Sequence, residues 1–271
     1  MKIIVSHDVD HLFAKDHIFR DLIYPKLWVR SFIEFLKKKI TFKELFLRSI
    51  HCFKKERHCI DALMEFDRKY GVPSVFFFGM AQGLGMSYYP HEAKNVIKRV
   101  SDNGFSVGVH GIEYTNKALI KKEYNKFCEI MNFGPAGIRM HYVRFDENTF
   151  ENVSEAGYVY DTTEFDKLNC GTQKAAYKVG KMWEFPLAIM DGYLPQSFDA
   201  AKTETLKKLK ECEDKGLEYV TVLFHDYQFC DDFKDMKAWY EWLIEYVYER
   251  PDMSFISYEN AIKELESKNG L

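Results

Sequence analysis

At 271 residues the chain can form one large domain or two small ones, and its 46% hydrophobic content is enough for a sizeable core. Its 38 basic and 41 acidic residues give a formal net charge of -3, which argues against a general nucleic-acid binder with a basic excess. No apolar run approaches the length of a membrane span. The chain goes straight from Met1-Lys2 into an apolar run without the parts of a secretory signal, so the expected compartment is the cytoplasm. The six cysteines show neither C-x-x-C pairing nor zinc-ribbon spacing and are expected to be reduced thiols, several of them in the core.

Lys2-Ile3-Ile4-Val5-Ser6 reads as a buried strand. It runs into His7-Asp8-Val9-Asp10-His11, where alternation places Asp8 and Asp10 on the same side. Two carboxylates so close together do not ionise cheaply unless a cation or a base role separates them. A polar turn is the plainer alternative. Residues 12–58 follow, dense in aromatics and Lys, and read as a helical excursion over one mouth of the domain. Its Lys37-Lys38-Lys39 and Lys54-Lys55 runs could meet an anionic ligand or a membrane surface, although a solvated face is the commoner use of such runs.

Strand and helix patterns then alternate. Ser74-Val75-Phe76-Phe77-Phe78 is a buried strand, and the Gly79 to Tyr89 loop lacks a phosphate-loop pattern. Ala93, Val96, Ile97 and Val100 form a helical stripe, followed by the strand Ser106-Val107-Gly108-Val109 with His110 at its end. A helix is expected over Tyr114 to Met131. Further strands are expected at Gly137-Ile138-Arg139, Tyr158 to Asp161, Trp183 to Leu187, Tyr219 to Phe224 and Ser254 to Ile256. Met236, Trp239, Tyr240, Leu243, Ile244 and Val247 mark the clearest amphipathic helix. This alternation, with no linker-like stretch, predicts a single α/β domain, a parallel barrel in preference to a doubly wound sheet. Asp8, Asp10, His110, Arg139, Asp161 and His225 all follow strand ends, which in a barrel converge on one site.

The ordered set Asp8-Val9-Asp10, Gly108-Val109-His110-Gly111, Arg139-Met140-His141-Tyr142, Tyr160-Asp161-Thr162-Thr163 and Leu223-Phe224-His225 resembles the polysaccharide deacetylases, carbohydrate esterase family 4. The best single stretch runs from Gly137 to Asp161, and the resemblance covers nearly the whole chain. It implies an irregular (β/α)7 barrel and a divalent metal, zinc by preference. It further implies Asp8 as the base, Asp10 and His110 as metal ligands, and Arg139 as the residue orienting the base. Tyr142 would help hold the oxyanion through its backbone N–H, and His225 would be the general acid. Asp161 or Glu164 would tune that acid.

Two departures stand out. Tyr114 occupies the position of the family's second metal histidine, and His141 stands where the family has Pro. A catalytic zinc takes three protein ligands; His141, His225, His7 or His11 could supply the third, with Tyr114 a weaker candidate for metal or substrate contact, and a weakened site or none is the alternative. His141, two residues after Arg139, is expected to take over part of the missing histidine's work.

The implied function is removal of an acyl group from an amino sugar by metal-dependent hydrolysis, in bacterial surface-polysaccharide biosynthesis. The alternatives are a catalytically silent carbohydrate-binding relative and a hydrolase of another small amide on the same barrel.

Overall fold

The opening strand, β1 (Lys2–Val9), is buried along nearly its whole length in the computed structural model, which describes residues 1–14, 16, 22–50, 58–134 and 137–268. It pairs in parallel with β2 (Val75–Gly79) on one side and β9 (Tyr219–Leu223) on the other, and its first residues also meet β10 (Ser254–Phe255). From β2 the parallel ladder continues through β3 (Ser106–Gly111), β4 (Ile138–Met140) and β5 (Tyr160–Asp161) to β7 (Met182–Glu184). A short antiparallel strand, β6 (Tyr177–Val179), closes that edge. On the far side β9 pairs with β8 (Leu187–Met190). The Leu187 N–H donates to the Glu164 carbonyl at 2.9 Å and the Thr172 N–H donates to the Leu187 carbonyl at 2.8 Å. These bonds link the two edges outside the regular ladder, so the sheet curls into an irregular α/β barrel.

Parallel strands need crossovers, and helices on the outer face supply them. Six of these are α3 (Ile60–Lys69), α4 (Pro90–Asp102), α5 (Lys117–Met131), α6 (Thr149–Ala156), α7 (Phe198–Asp214) and α8 (Lys234–Tyr248), and α9 (Tyr258–Lys268) ends the described chain. The predicted stripe of α8 is buried at every one of its six positions. The expected helix at Tyr114 begins later, because the Asn116 side chain accepts from the Ala118 and Leu119 N–H groups and caps α5 there. The 12–58 segment carries α1 (Ile23–Leu36) and α2 (Phe42–Ile50). Lys54, Lys55 and Cys52 lie outside the described residues.

Strand alternation sorts the core into layers. Ile3, Val5, Val9, Phe76, Phe78, Val107, Val109, Ile138, Met140, Val220, Val222 and Phe224 pack outward under the helices. Ile4, Val75, Phe77, Tyr160, Trp183 and Tyr219 fill the barrel's inner floor. The inward register above that floor holds Ser6, Asp8, Asp10, His110, Arg139, His141 and His225. Gly108 also lies on the inner face; a Cβ there would stand 2.6 Å from the Phe77 ring, so a side chain would push that ring out of the floor.

Two expectations need correction. Trp183 to Leu187 is not one strand: the chain leaves β7 on one edge and enters β8 on the other, with Pro186 between them. Proline has no N–H for the ladder, so the strand breaks there. The cysteines are not all free thiols, since Cys59 and Cys230 form a disulfide across 171 residues of sequence. It ties the start of α3 to the turn after His225. Such bonds are rare in the cytosol and persist in oxidising compartments, which weighs against the cytoplasmic expectation.

Candidate metal and catalytic site

Arg139 is the fixed point of the site. Its side chain is fully buried, yet every arm has a partner. Nη1 donates to Asp8 Oδ1 at 3.0 Å, and Nη2 donates to Ser6 Oγ at 2.8 Å and Thr162 Oγ1 at 3.2 Å. Nε donates to the Thr162 carbonyl at 3.1 Å, and the guanidinium lies 4.9 Å from the Phe77 ring centroid. A buried cation satisfied this fully sets the position of its carboxylate partner. Asp8 is therefore held by one oxygen, while Oδ2 lies 3.6 Å from His110 Nε2.

Asp10, one pleat further on, faces two imidazoles. Its Oδ1 lies 3.2 Å from His110 Nε2 and 3.4 Å from His141 Nδ1. Burial pushes the Asp10 carboxyl upward, but the two imidazoles outweigh it and hold the group well below the usual carboxylate range. His110 Nδ1 lies 3.0 Å from the Arg139 carbonyl, and His141 Nε2 lies 3.1 Å from the Leu84 carbonyl. A carbonyl only accepts, so each of these nitrogens carries its proton. The opposite nitrogens then face each other with lone pairs in the neutral rings, 3.0 Å apart. A proton or a cation must lie there for this arrangement to be favourable. Burial lowers the His141 pKa, but Asp10, together with the Leu84 carbonyl and Asp8, raises it above the usual imidazole value.

The ligand atoms of Asp10, His110 and His141 all lie within 4.8 Å of one another, a group that could hold a metal ion. It is the only such group of three among the described residues. Both histidines give their second nitrogen to a carbonyl, the usual device that fixes a ligating ring and its tautomer. A short turn, His141–Val143, follows β4, with Tyr142 at φ 59° and Val143 at φ 45°. Left-handed backbone at two successive residues with side chains, one of them β-branched, is costly and persists where its surroundings enforce it. Arg144 is part of that enforcement: Nε donates to the His141 carbonyl at 3.2 Å and Nη2 to the Ile112 carbonyl at 2.6 Å.

His225 completes the rim, its Nε2 3.8 Å from Asp10 Oδ2. Behind it stands Asp191, fully buried, with Oδ1 2.7 Å from His225 Nδ1 and Oδ2 accepting the His225 backbone N–H at 2.7 Å. Gln228 Nε2 donates to the same carboxylate at 2.9 Å. Burial works against a charged His225 ring, but Asp191 overrides it and the pKa is pushed up to about 10.

The other sequence candidates fall elsewhere. The carboxylate on His225 Nδ1 is Asp191, where Asp161 or Glu164 was expected. Asp161 is fully buried and accepts from the Thr162 backbone N–H and the Thr163 hydroxyl, so it is not open to substrate. Burial pushes Asp161 up to about 7, and also raises its neighbour Glu184. Glu164 pairs with Lys174 at 3.2 Å. His7 is turned outward, with ring nitrogens 3.0 Å from Asp67 Oδ2 and 3.0 Å from the Phe224 carbonyl. The His11 ring lies against Tyr227. Tyr114 is outside the metal group; its ring sits 4.9 Å from the Arg144 guanidinium. Tyr142 is exposed, its hydroxyl donating to the Leu84 carbonyl at 3.0 Å. Sequence reasoning missed Asp191. The available signal was its place immediately after Leu187-Ala188-Ile189-Met190, a strand-end position like those of the other site residues.

The fold that carries this cluster is similar to that of solved structures assigned as polysaccharide deacetylases. No family model and no curated protein matches the chain. A protein from Mycobacterium smegmatis assigned as a polysaccharide deacetylase is 15% identical with a TM-score of 0.66, covering 99% of this chain and 91% of its own. One from Pseudomonas aeruginosa with the same assignment is 12% identical with a TM-score of 0.63, covering 100% and 91%. Puue allantoinase is also 12% identical with a TM-score of 0.63, covering 98% and 89%. At these identities the likeness defines the fold.

Proposed function

We propose that the chain is a metal-dependent amide hydrolase of the polysaccharide deacetylase family, releasing an acyl group from the nitrogen of an amino sugar. The observation that carries this reading is the convergence of Asp10, His110 and His141 beside two differently prepared proton-handling groups, Asp8 on Arg139 and His225 on Asp191. Two imidazoles and one carboxylate are a donor set that suits a catalytic divalent ion, zinc before others. Such an ion supplies Lewis acidity toward the scissile carbonyl and toward water.

The protein's own groups divide the proton transfers. Asp8 is anchored through Oδ1, which leaves Oδ2 to take a proton from the attacking water. His225 is kept charged by Asp191 and gives a proton to the leaving amine. The left-handed turn at Tyr142 presents a backbone N–H suited to developing negative charge on the carbonyl oxygen. The setting we favour is assembly of surface polysaccharide.

A second reading, hydrolysis of a small amide that is not a sugar, is favoured by the equal TM-score of 0.63 to Puue allantoinase. Zinc-loaded protein is incubated with a panel of N-acetylated amino sugars and small cyclic and linear amides, and released amine is measured. Turnover of an N-acyl sugar, lost in Asp8→Asn, supports the proposal. Turnover confined to other amides supports the second reading. No turnover with metal bound leaves a sugar-binding relative.

A further inference from the structure

The α1–α2 hairpin carries a dense group of exposed apolar side chains. Of the 17 exposed large hydrophobic residues among the described ones, eight lie between residues 22 and 46: Leu22, Trp28, Val29, Phe32, Ile33, Leu36, Phe42 and Phe46. Val29, Phe32, Ile33 and Leu36 follow helical spacing and form a stripe along α1. Leu36 is 64% exposed and Phe42 70%. In α2 no residue is fully buried; among the described residues its Phe42 ring meets Phe35 at 6.3 Å and its Arg48 meets Phe233 at 5.3 Å. Patches of this kind mark interaction sites.

The charge around the stripe selects the partner. Residues 22–49 hold seven Lys or Arg and two Glu, in a chain whose formal net charge is -3. Both acids are already engaged: Glu34 lies 2.8 Å from Arg30 and 2.7 Å from Arg48, while Glu44 accepts from the Thr41 N–H and hydroxyl in a helix-start box. Lys37, Lys38, Lys39 and Lys43 remain exposed beside the apolar stripe. A cavity of about 640 Å³ runs along the same helix, lined by Leu22, Pro25, Val29 and Ile33 and rimmed by Lys26 and Lys37. Protruding Phe, Trp and Leu side chains flanked by Lys form the signature of a helix lying in a lipid–water interface.

We infer that the α1–α2 hairpin is a peripheral membrane-docking element that seats on an anionic bilayer, its apolar stripe in the headgroup boundary and its lysines on the phosphates. This surface is independent of the proposed chemistry, but it adjoins the site. Arg48 Nε donates to the Asp232 carbonyl at 3.2 Å and its guanidinium stacks 5.3 Å from Phe233, in the turn that follows the His225 loop. Among the described residues no helix is long and apolar enough to cross the membrane.

The test is flotation of the purified full chain with vesicles of equal parts phosphatidylglycerol and phosphatidylcholine, and separately with phosphatidylcholine alone. The protein is expected to float with the anionic vesicles and to stay behind with the neutral ones. The triple variant Lys37→Glu, Lys38→Glu, Lys39→Glu is expected to weaken partitioning by about 100-fold or more, since each such cation contributes roughly a factor of five. Phe32→Ser with Leu36→Ser is expected to abolish flotation with an unchanged thermal melt, because both side chains are exposed. Wild-type protein that stays behind with anionic vesicles would overturn the inference. So would a stable dimer in light scattering that Leu36→Ser dissociates, for then a second copy covers this face.

Discussion

His110 Nε2 and His141 Nδ1 stand 3.0 Å apart with ring planes at 85°, and Asp10 Oδ1 lies within 3.4 Å of both. The far nitrogen of each ring is committed to a carbonyl, so neither ring can turn its proton inward without losing that bond. Three electron-rich atoms thus surround a single point. This is how a fold prepares a cation site, with the ligand geometry set by groups behind the ligands.

His141→Ala is expected to lower zinc affinity by more than the 10–100-fold typical of losing a supporting partner. Asp10→Ala serves as the positive control. Tyr114→Phe is expected to leave affinity near wild type, because the ring braces Arg144 and lies outside the ligand group. Titration calorimetry with zinc on metal-stripped protein reads all three. Equal affinity in His141→Ala and wild type would remove His141 from the ligand set.

Asp8→Asn is expected to fold as wild type and to lose on the order of 10²–10⁴ in turnover on whichever amide the enzyme accepts. The carboxamide can still accept from Arg139 Nη1, so the geometry survives while the proton acceptor does not. Wild-type turnover in this variant would mean that the base is another group.

What the sequence made legible was local and periodic. Alternation from Ile4 through Ser6 and Asp8 fixes which side chains face inward, and the same alternation links Arg139 to His141. That is why an imidazole two residues after the arginine could be expected beside Asp10 and His110. The missed features depend on where the chain goes. Pro186 sends it from one sheet edge to the other, and Asp191 becomes a site residue only once β8 is recognised as a separate strand beside β9. Asp161 shares the strand-end position, yet it is fully buried and its Oδ1 accepts from the Thr162-Thr163 turn. Cys59 and Cys230 carry no spacing signal at all, because folding alone brings together residues 171 apart.

Asp191→Asn tests the source of the proton. The Asp191 carboxylate outweighs burial and raises His225 to about 10, so the ring stays charged, and able to act as an acid, well above neutrality. Removing that charge lowers the pKa, and the ring then gives up its proton at lower pH. The alkaline limb of kcat/KM is expected to move down by about 2 pH units, within the range a close opposite charge produces. The acid limb, set by the base, is expected to stay in place. A simple fall in activity at every pH, with no movement of the alkaline limb, would show that Asp191 positions His225 without tuning it.

Glu123→Gln separates stability from chemistry in the loop behind His110. Glu123 lies on α5, buried, and accepts the Ile112 N–H at 3.1 Å and the Glu113 N–H at 3.0 Å. Burial outweighs these donors and raises its pKa from 4.5 to about 7. The folded state therefore binds this proton more tightly than the unfolded state does. Wild-type stability from this group is greatest below pH 4.5, falls as pH rises toward 7, and is level above that. Gln keeps an acceptor oxygen for both N–H groups and carries no charge to bury. The variant is expected to be more stable than wild type at pH 8 by about 1–3 kcal/mol, the upper figure being the rise from 4.5 to about 7 expressed as energy. The gap should close by pH 4.5. Urea unfolding at the two pH values measures it, and an equal gap at both would mean that the charge on Glu123 is not its source.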